Sequence, residues 1–187
     1  MTMYQIRMHS RGGQGGKTAA KILADAFFQE GYFVQAFSVY GAERRGAPVV
    51  SFIRVDKKPV LERGYITDPD CIIIMDDSLL KATDELGLLK GLDAREYFIV
   101  NTKEKMKAPK PHVKLVTVDA SKIGRDSIGK EVFNTAMLGA FAGATKKIRV
   151  DYLEKAIHNA FSERHSETVA ANIKAMHSAF EKTSVLR

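Results

Sequence analysis

A glycine-rich stretch near the start of the chain carries the residue types best suited to binding an anion. Residues 10–18 read Ser-Arg-Gly-Gly-Gln-Gly-Gly-Lys-Thr and lie between a strand-like run and a helical pattern. Free amides and the helix dipole favour an anion at a helix start, and glycines let the backbone approach a phosphate. Gln14 either offers its amide to a ligand or partner or caps the helix. The stretch predicts a phosphate-bearing ligand, and its candidate binding residues are Arg11, Gly12, Gly13, Gln14, Gly15, Lys17 and Thr18.

This stretch misses two common nucleotide-binding motifs by one residue each. A Walker A loop ends in Gly-Lys-Ser/Thr, which residues 16–18 match, but Arg11 stands where its first glycine belongs. The dinucleotide fingerprint Gly-x-Gly-x-x-Gly is met by Gly13 and Gly15, whereas Thr18 stands at its third glycine. A tight strand-to-helix turn that binds nothing therefore stays open as the alternative interpretation.

A second candidate lies in residues 40–48, where Glu43, Arg44 and Arg45 form a charged cluster bordered by glycines. Adjacent arginines suit an anionic group or an acidic partner surface. A solvated loop with one local Glu–Arg pair is the competing interpretation. We add Glu43, Arg44 and Arg45 to the candidate binding residues, and we predict no catalytic residue and no metal ligand in the chain.

Other reactive residue types are predicted to have structural roles. His9 and the pair Asp76 and Asp77 end strands, on the side where ligands bind in open α/β sheets, but a structural histidine and helix N-caps are preferred. Cys71 lies in an apolar run and is predicted to be a buried thiol. The lysine-rich residues 103–114 are interpreted as a solvated loop, with steering of an anionic ligand or an acidic partner as the alternative.

The elements that must position these residues follow an α/β pattern. Apolar alternation and continuous apolar runs predict strands at residues 4–8, 33–37, 49–55, 71–75, 97–100 and 115–118. Spacings of three and four predict helices at residues 17–30, 78–89, 133–144, 151–161 and 166–182. Residues 121–130 are polar and interrupted by glycine, and no regular element is predicted there.

Local signals add detail to this pattern. The strand, glycine turn, helix and strand at the start predict a parallel pair joined by a right-handed crossover. Asp151 with Glu154 three residues later predicts a capping box. We expect one domain over residues 1–187, with an α/β fold, a mostly parallel sheet and a helical C-terminal third.

Composition narrows the function. The chain has 187 residues, a formal net charge of +7 and one cysteine, which excludes a disulfide framework and an iron–sulfur cluster held by this chain alone. It has no run of about 18 apolar residues and no apolar signal core at its start, so we expect no membrane partner and a cytoplasmic location. The positive charge suits an anionic ligand or acidic partner better than nucleic acid, because no nucleic-acid-binding signature is present.

The two candidate stretches together resemble the gamma subunit, or gamma domain, of the 2-oxoacid:ferredoxin oxidoreductases, of which pyruvate:ferredoxin oxidoreductase (pyruvate synthase) is the best-known member. The resemblance is specific in the order and spacing of residues 11–15, 18–20, 30–31, 35–37 and 40–48. It continues more loosely through Arg54, residues 68–70, residues 134–140 and the C-terminal helices. Two departures stand out: Ser10 replaces a more common glycine, and Gly16 and Lys17 stand where apolar residues are commoner.

The resemblance implies a Rossmann-like subunit that is inactive alone. The family oxidatively decarboxylates a 2-oxoacid such as pyruvate, forms an acyl-CoA and passes electrons to ferredoxin, an anaerobic type of metabolism. Thiamine diphosphate, Mg and iron–sulfur clusters would be held by alpha, beta and delta-type subunits. The gamma subunit would bind no cofactor alone and would help to complete the active-site and coenzyme A region.

The resemblance leaves the oxoacid open, so the gamma subunit of a branched-chain oxoacid or phenylglyoxylate oxidoreductase is an alternative. A stand-alone nucleotide-binding α/β enzyme that uses the near-Walker loop is a second alternative. A nucleic-acid-binding module is the weakest, because it rests on net charge alone.

Overall fold

The computed structural model describes residues 3–41, 46–93 and 96–184. In chain order the elements are β1 (Tyr4–Arg11), α1 (Gly16–Gln29), β2 (Phe33–Tyr40), β3 (Pro48–Asp56), β4 (Cys71–Ile74), a 3₁₀ helix (Asp77–Ala82), β5 (Tyr97–Asn101), β6 (Lys114–Val118), α2 (Ala120–Ile128), α3 (Asn134–Thr145), α4 (Val150–Phe161) and α5 (Ser166–Ser184). Across these described ranges, no helix combines the length and the apolarity needed to cross a bilayer.

The described strands form one six-stranded sheet in the order β2-β3-β1-β4-β5-β6. β1, β4, β5 and β6 pair in parallel with their neighbours, whereas β3 is antiparallel to both β1 and β2. Five of the six described strands therefore run in the same direction. The predicted α/β fold with a mostly parallel sheet and a helical C-terminal third is confirmed.

The predicted pairing of the first two strands is wrong. β1 and β2 run in the same direction, but β3 lies between them and pairs with both. Residues 41–47 connect β2 to β3, and a link this short returns the chain antiparallel to the strand it has just left. β3 therefore takes the place beside β1, and the crossover through α1 reaches the strand one position further out.

Two apolar clusters cover the sheet. The larger cluster joins β1, β4 and β5 to α1, α3, α4 and α5, and the smaller one joins Ile72, Ile74 and Phe98 to residues 79–92. Helix α3 is buried on nearly all sides. It packs so closely on α5 that a Cβ added to Gly139 would lie 2.0 Å from the Met176 carbonyl oxygen. The helical third of the chain thus forms one wall of the core.

Two helix predictions differ from the structure. The helix predicted at residues 78–89 is a 3₁₀ helix over Asp77–Ala82 followed by turns, in which Gly87 and Gly91 have φ of 57° and 71°. A right-handed helix cannot include such residues. Helix α2 was not predicted, because its sequence is polar. Asp119 caps it by accepting from the Lys122 amide (2.7 Å).

The predicted capping box is also wrong. Helix α4 begins at Val150, and its N-cap is Arg149, which makes no side-chain cap hydrogen bond. Asp151 instead forms an ion pair with Arg149 (2.8 Å). Glu154 contacts His177 of α5. Both acids therefore contact other side chains, whereas a capping box would have bonded them to backbone amides.

Candidate functional site

The turn from β1 into α1 is built around glycines that other residues could not replace without strain. Gly15 is the N-cap of α1 in the left-handed region (φ 78°), and an added Cβ would lie 2.8 Å from Asn134 Nδ2. Gly16 is buried, and its Cβ would lie 2.1 Å from Ser10 Oγ and 2.8 Å from Ser10 Cβ. The sequence therefore forces a tight turn that brings the start of α1 against the end of β1.

The start of α1 offers unused backbone donors. The first intrahelical hydrogen bond runs from the Ala19 amide to the Gly15 carbonyl (2.8 Å). The amides of Gly16, Lys17 and Thr18 therefore have no acceptor within their own helix. They are the partial positive end of the helix dipole, so the geometry suits an anion.

A cavity of about 270 Å³ lies over this turn. Its lining includes five of the seven predicted residues of the glycine-rich stretch together with the ends of β2 and β3: Ser10, Arg11, Gly12, Gly13, Gly15, Gly16, Lys17, Tyr40 and Val49. Lys17 is exposed at the first turn of α1. Thr18 is exposed on α1 and does not line the cavity. The structure thus brings the glycines, Arg11 and Lys17 together and leaves Thr18 to one side.

Arg11 and Gln14 hold this turn against the end of β4. Gln14 Oε1 accepts from the Arg11 amide (2.7 Å), and Gln14 Nε2 donates to Asp76 Oδ2 (2.5 Å). Arg11 Nε donates to Ser78 Oγ (3.0 Å) and lies 3.4 Å from Asp76 Oδ2. Gln14 does not cap α1, because Gly15 is the N-cap. Both ends of the Gln14 amide are used within the chain, so this side chain positions the loop.

Asp76 is the centre of that network. Burial opposes its ionisation, but hydrogen bonds from Ser78 and Gln14 and the nearby Arg11 outweigh burial and lower the pKa of its carboxyl. Its Oδ1 accepts from the Ser78 amide (2.9 Å), so the preferred interpretation of Asp76 as an N-cap is confirmed. Asp76 thus stays ionised and stabilises the cation of Arg11.

Glu43, Arg44 and Arg45 lie outside the described residues, so their predicted role stays a prediction. The residues on either side are placed beside the glycine loop. The Gly12 amide donates to the Ala47 carbonyl (2.8 Å), and Arg11 Nη1 donates to the Gly46 carbonyl (3.2 Å). The Gly41 amide donates to the Pro48 carbonyl (3.1 Å). Gly46 and Ala47, which follow the two arginines in the chain, therefore contact the glycine loop directly.

A second, polar cavity of about 310 Å³ lies at the carboxyl ends of β4 and β5. The sequence reasoning missed Asn101, which joins its walls. Asn101 Nδ2 donates to the Met75 carbonyl (3.0 Å), and its Oδ1 accepts from the Ala120 and Ser121 amides at the start of α2 (2.9 and 3.2 Å). An amide directly after a buried strand was the available signal. Among the described residues, no cluster of His, Cys, Asp or Glu fits a metal ion.

His9 and Cys71 have the structural roles predicted for them. His9 is 3% exposed, and its Nε2 accepts from Arg7 Nε (3.1 Å). Burial and the neighbouring Arg7 lower the pKa of His9 to about 3, so the ring is neutral. Cys71 is fully buried, and burial raises the pKa of its thiol. Neither side chain reaches the cavity over the glycine loop.

Comparison with known proteins decides the family. The family model described as "Pyruvate ferredoxin/flavodoxin oxidoreductase" matches residues 5–182. The chain belongs to this family. The resemblance to its gamma subunit is confirmed, because the chain is 45% identical over 190 residues to the pyruvate/ketoisovalerate oxidoreductases common subunit gamma of Pyrococcus abyssi, covering 98% of each chain.

Two further relatives agree with this assignment. The pyruvate synthase subunit PorC of Methanothermobacter thermautotrophicus is 39% identical over 185 residues, which cover 99% of this chain and 98% of that one. The crystal structure of the pyruvate oxidoreductase subunit PORC of Thermotoga maritima superimposes with a TM-score of 0.83 at 32% identity over 97% of each chain. This member of the pyruvate ferredoxin/flavodoxin oxidoreductase family is therefore a gamma (PorC) type subunit of an oxidoreductase.

Proposed function

We propose that this gamma-type subunit acts as one domain that completes the coenzyme A region of a thiamine-diphosphate-dependent pyruvate:ferredoxin oxidoreductase. Alpha, beta and delta-type subunits would hold thiamine diphosphate, Mg and the iron–sulfur clusters, and ferredoxin would be reached through the complex. The single cysteine supports placing the clusters on other subunits, because a four-iron cluster is usually held by about four cysteine thiolates. A cytoplasmic location is part of the same proposal.

One observation carries the coenzyme A assignment. The cavity over the glycine loop combines helix-start amides that have no acceptor in their own helix with exposed Lys17, and Gly46 and Ala47, which follow Arg44 and Arg45 in the chain, contact the same loop. These are the donors that a phosphate group needs, and coenzyme A carries several. When bound, coenzyme A supplies the thiol that accepts the acyl group. This chain's own residues would bind and orient its phosphates.

The first test is activity of the parts. The pure chain is expected to show no pyruvate-dependent dye reduction, because one cysteine cannot hold an iron–sulfur cluster and thiamine diphosphate would be held by the partner subunits. The complex with its partner subunits is expected to show it. Pyruvate-dependent reduction by the pure chain would contradict the proposal.

The second test locates the phosphate site in the assembled enzyme. Lys17→Ala and Arg45→Ala are each expected to raise the KM for coenzyme A about ten- to a hundredfold, since a charge-assisted phosphate contact is worth about 1.5–3 kcal/mol. The KM for pyruvate should stay within twofold. Lys174→Ala, which removes an exposed lysine of α5, is the matched control. An unchanged KM for coenzyme A in both site variants would refute the assignment.

A titration separates this proposal from the stand-alone nucleotide-binding enzyme. Calorimetry of the pure chain with Mg-ATP is expected to show no tight binding, because the loop lacks the first glycine of a Walker motif. Micromolar Mg-ATP binding by the pure chain would favour the alternative.

A further inference from the structure

The outer edge of β2 is an unpaired strand edge of unusual length and composition. β2 spans eight residues without charge or proline, and its outer side has no strand partner among the described residues. The opposite edge of the sheet, β6, has five residues and begins with Lys114. Short, charged edges resist pairing with another chain, whereas long uncharged ones invite it. The edge at β6 is thus protected against pairing with another chain, and the edge at β2 is not.

A groove runs beside this edge, between β2 and α1. Its volume is about 450 Å³, and it is lined mostly by apolar side chains: Lys17, Ala20, Lys21, Ala24, Asp25, Phe28, Val34, Ala36, Phe37 and Ser38. Phe28 is 69% exposed in its wall, and Phe33 and Tyr40 at the two ends of β2 are 49% and 56% exposed. An apolar groove with an exposed aromatic side chain in its wall is typical of an interaction site.

The strand that bears this edge, β2, is held in place by its pairing with β3. Phe37 stacks on Phe52 of β3 with ring centroids 5.1 Å apart, and the hydroxyls of Ser38 and Ser51 lie 2.7 Å apart. All eight residues of β2 are in register with β3. The outer edge of β2 is therefore already ordered, so the binding of a partner strand would cost little conformational entropy in β2.

The charges around the groove select the partner. Lys17 and Lys21 have no ion-pair partner within the described ranges, whereas the one acid, Asp25, accepts from Gln29 Nε2 (2.8 Å) on its own helix. The chain as a whole carries +7. A segment with apolar side chains and carboxylates would fill the groove and neutralise Lys21.

A second copy of this chain fits less well. It would bring a concave groove against a concave groove, and it would add a further excess of positive charge. An extended segment from a different chain supplies protruding side chains, since a strand points every second side chain toward the same face. Strand addition to a sheet edge is a general mode of peptide recognition.

We propose that β2 and the groove beside α1 bind an extended acidic and apolar segment of a partner subunit, which adds a seventh strand to the sheet. This inference rests on the proposed function, because the partner is another subunit of the oxidoreductase. Its test uses the complete chain and the co-expressed alpha, beta and delta-type subunits, with association measured by native mass spectrometry and by titration.

Phe28→Asp and Lys21→Glu should each weaken association at least tenfold while leaving the circular dichroism spectrum unchanged, because both side chains are exposed. Leu61→Asp and Lys174→Glu are matched controls for the same changes at exposed positions outside the groove, and they should stay within twofold of the wild type. Hydrogen exchange of residues 33–40 should slow in the complex, whereas that of residues 114–118 should not change.

Wild-type association of Phe28→Asp and Lys21→Glu, together with unprotected amides in residues 33–40, would overturn this inference and leave the proposed function standing. A dimer of the pure chain in sedimentation equilibrium that Phe28→Asp abolishes would overturn it in favour of a second copy. Failure of the wild-type chain to bind the other subunits at all would overturn the proposed function, and this inference with it.

Discussion

Gly16→Ala is expected to destabilise the fold through a steric clash with the side chain of Ser10. The added Cβ would lie 2.1 Å from Ser10 Oγ and 2.8 Å from Ser10 Cβ. Rotating the hydroxyl relieves only the first contact, because the Cβ is fixed to β1. Overpacking of this kind costs about 1–3 kcal/mol, and the better helix propensity of alanine returns about 0.5–1 kcal/mol. The expected net loss is roughly 1–2 kcal/mol.

Ser10→Gly removes the atoms that cause the clash. Ser10 Oγ makes only a 3.5 Å contact with the Val49 carbonyl, so the single variant should lose about 1 kcal/mol or less, mainly through the backbone entropy of glycine. In the double variant the alanine methyl occupies the space that the serine vacates. The two substitutions should therefore couple favourably by about 1–3 kcal/mol.

Urea unfolding of the four chains, followed by circular dichroism, measures this coupling directly. Gly13→Ala is the matched control. Gly13 has φ of 94° and no atom within 4 Å of its added Cβ, so alanine there is strained by the backbone alone. Ser10→Gly should not rescue Gly13→Ala. A coupling between positions 10 and 16 within about 0.5 kcal/mol of zero, or equal rescue of Gly13→Ala, would refute the steric argument.

Three further predictions follow from other parts of the structure. Gly139→Ala should cost at least about 2 kcal/mol in urea unfolding, because its Cβ would meet the backbone of Met176, which cannot rotate away. His9 has a folded pKa of about 3, below its unfolded value of about 6.5, so the folded state binds fewer protons and stability should fall as pH drops through that window. His9→Gln keeps an acceptor for Arg7, and it should make the urea midpoint depend less on pH between pH 6.5 and 3.5. A pH dependence equal to that of the wild type would count against a lowered pKa of His9. Cys71 should react with Ellman's reagent only after unfolding, and rapid reaction in buffer would contradict its burial.

Sequence patterns predicted the parts of this fold that depend on local periodicity. The continuous apolar run at residues 71–75 predicted a central strand, and β4 pairs in parallel on both sides. The place of β3 between β1 and β2 could not be predicted, because each of the three strands satisfies its own pattern in either order. Helix α2 was missed because its sequence is mostly polar and contains Gly124, although Asp119 caps it and Ala120, Ile123 and Gly124 form its buried face.

In the candidate site, too, local features could be predicted from the sequence and contacts between distant residues could not. The glycine cluster predicted the helix-start amides, since those follow from a strand, a turn and a helix in sequence. It did not predict that Gln14 is used between Arg11 and Asp76, because Asp76 is 62 residues away in the chain. The two departures from the family pattern, Ser10 and Gly16, read as unrelated in the sequence. In the fold Ser10 fills the space that a Cβ at position 16 would need, which explains the glycine there.

The donors that remain at the site favour one class of ligand over another. Gln14 and Asp76 are occupied within the chain, so the described part of the cavity over the glycine loop presents backbone amides and the cation of Lys17, beside the hydroxyls of Ser10 and Tyr40. Amides and a lysine recognise phosphate oxygens through charge and dipole, but they cannot read the donor and acceptor pattern of a base. A self-sufficient nucleotide-binding enzyme would need that second set of contacts from its own chain. A subunit that contributes only the phosphate contacts needs the rest from its partners, which agrees with a gamma subunit that acts within a complex.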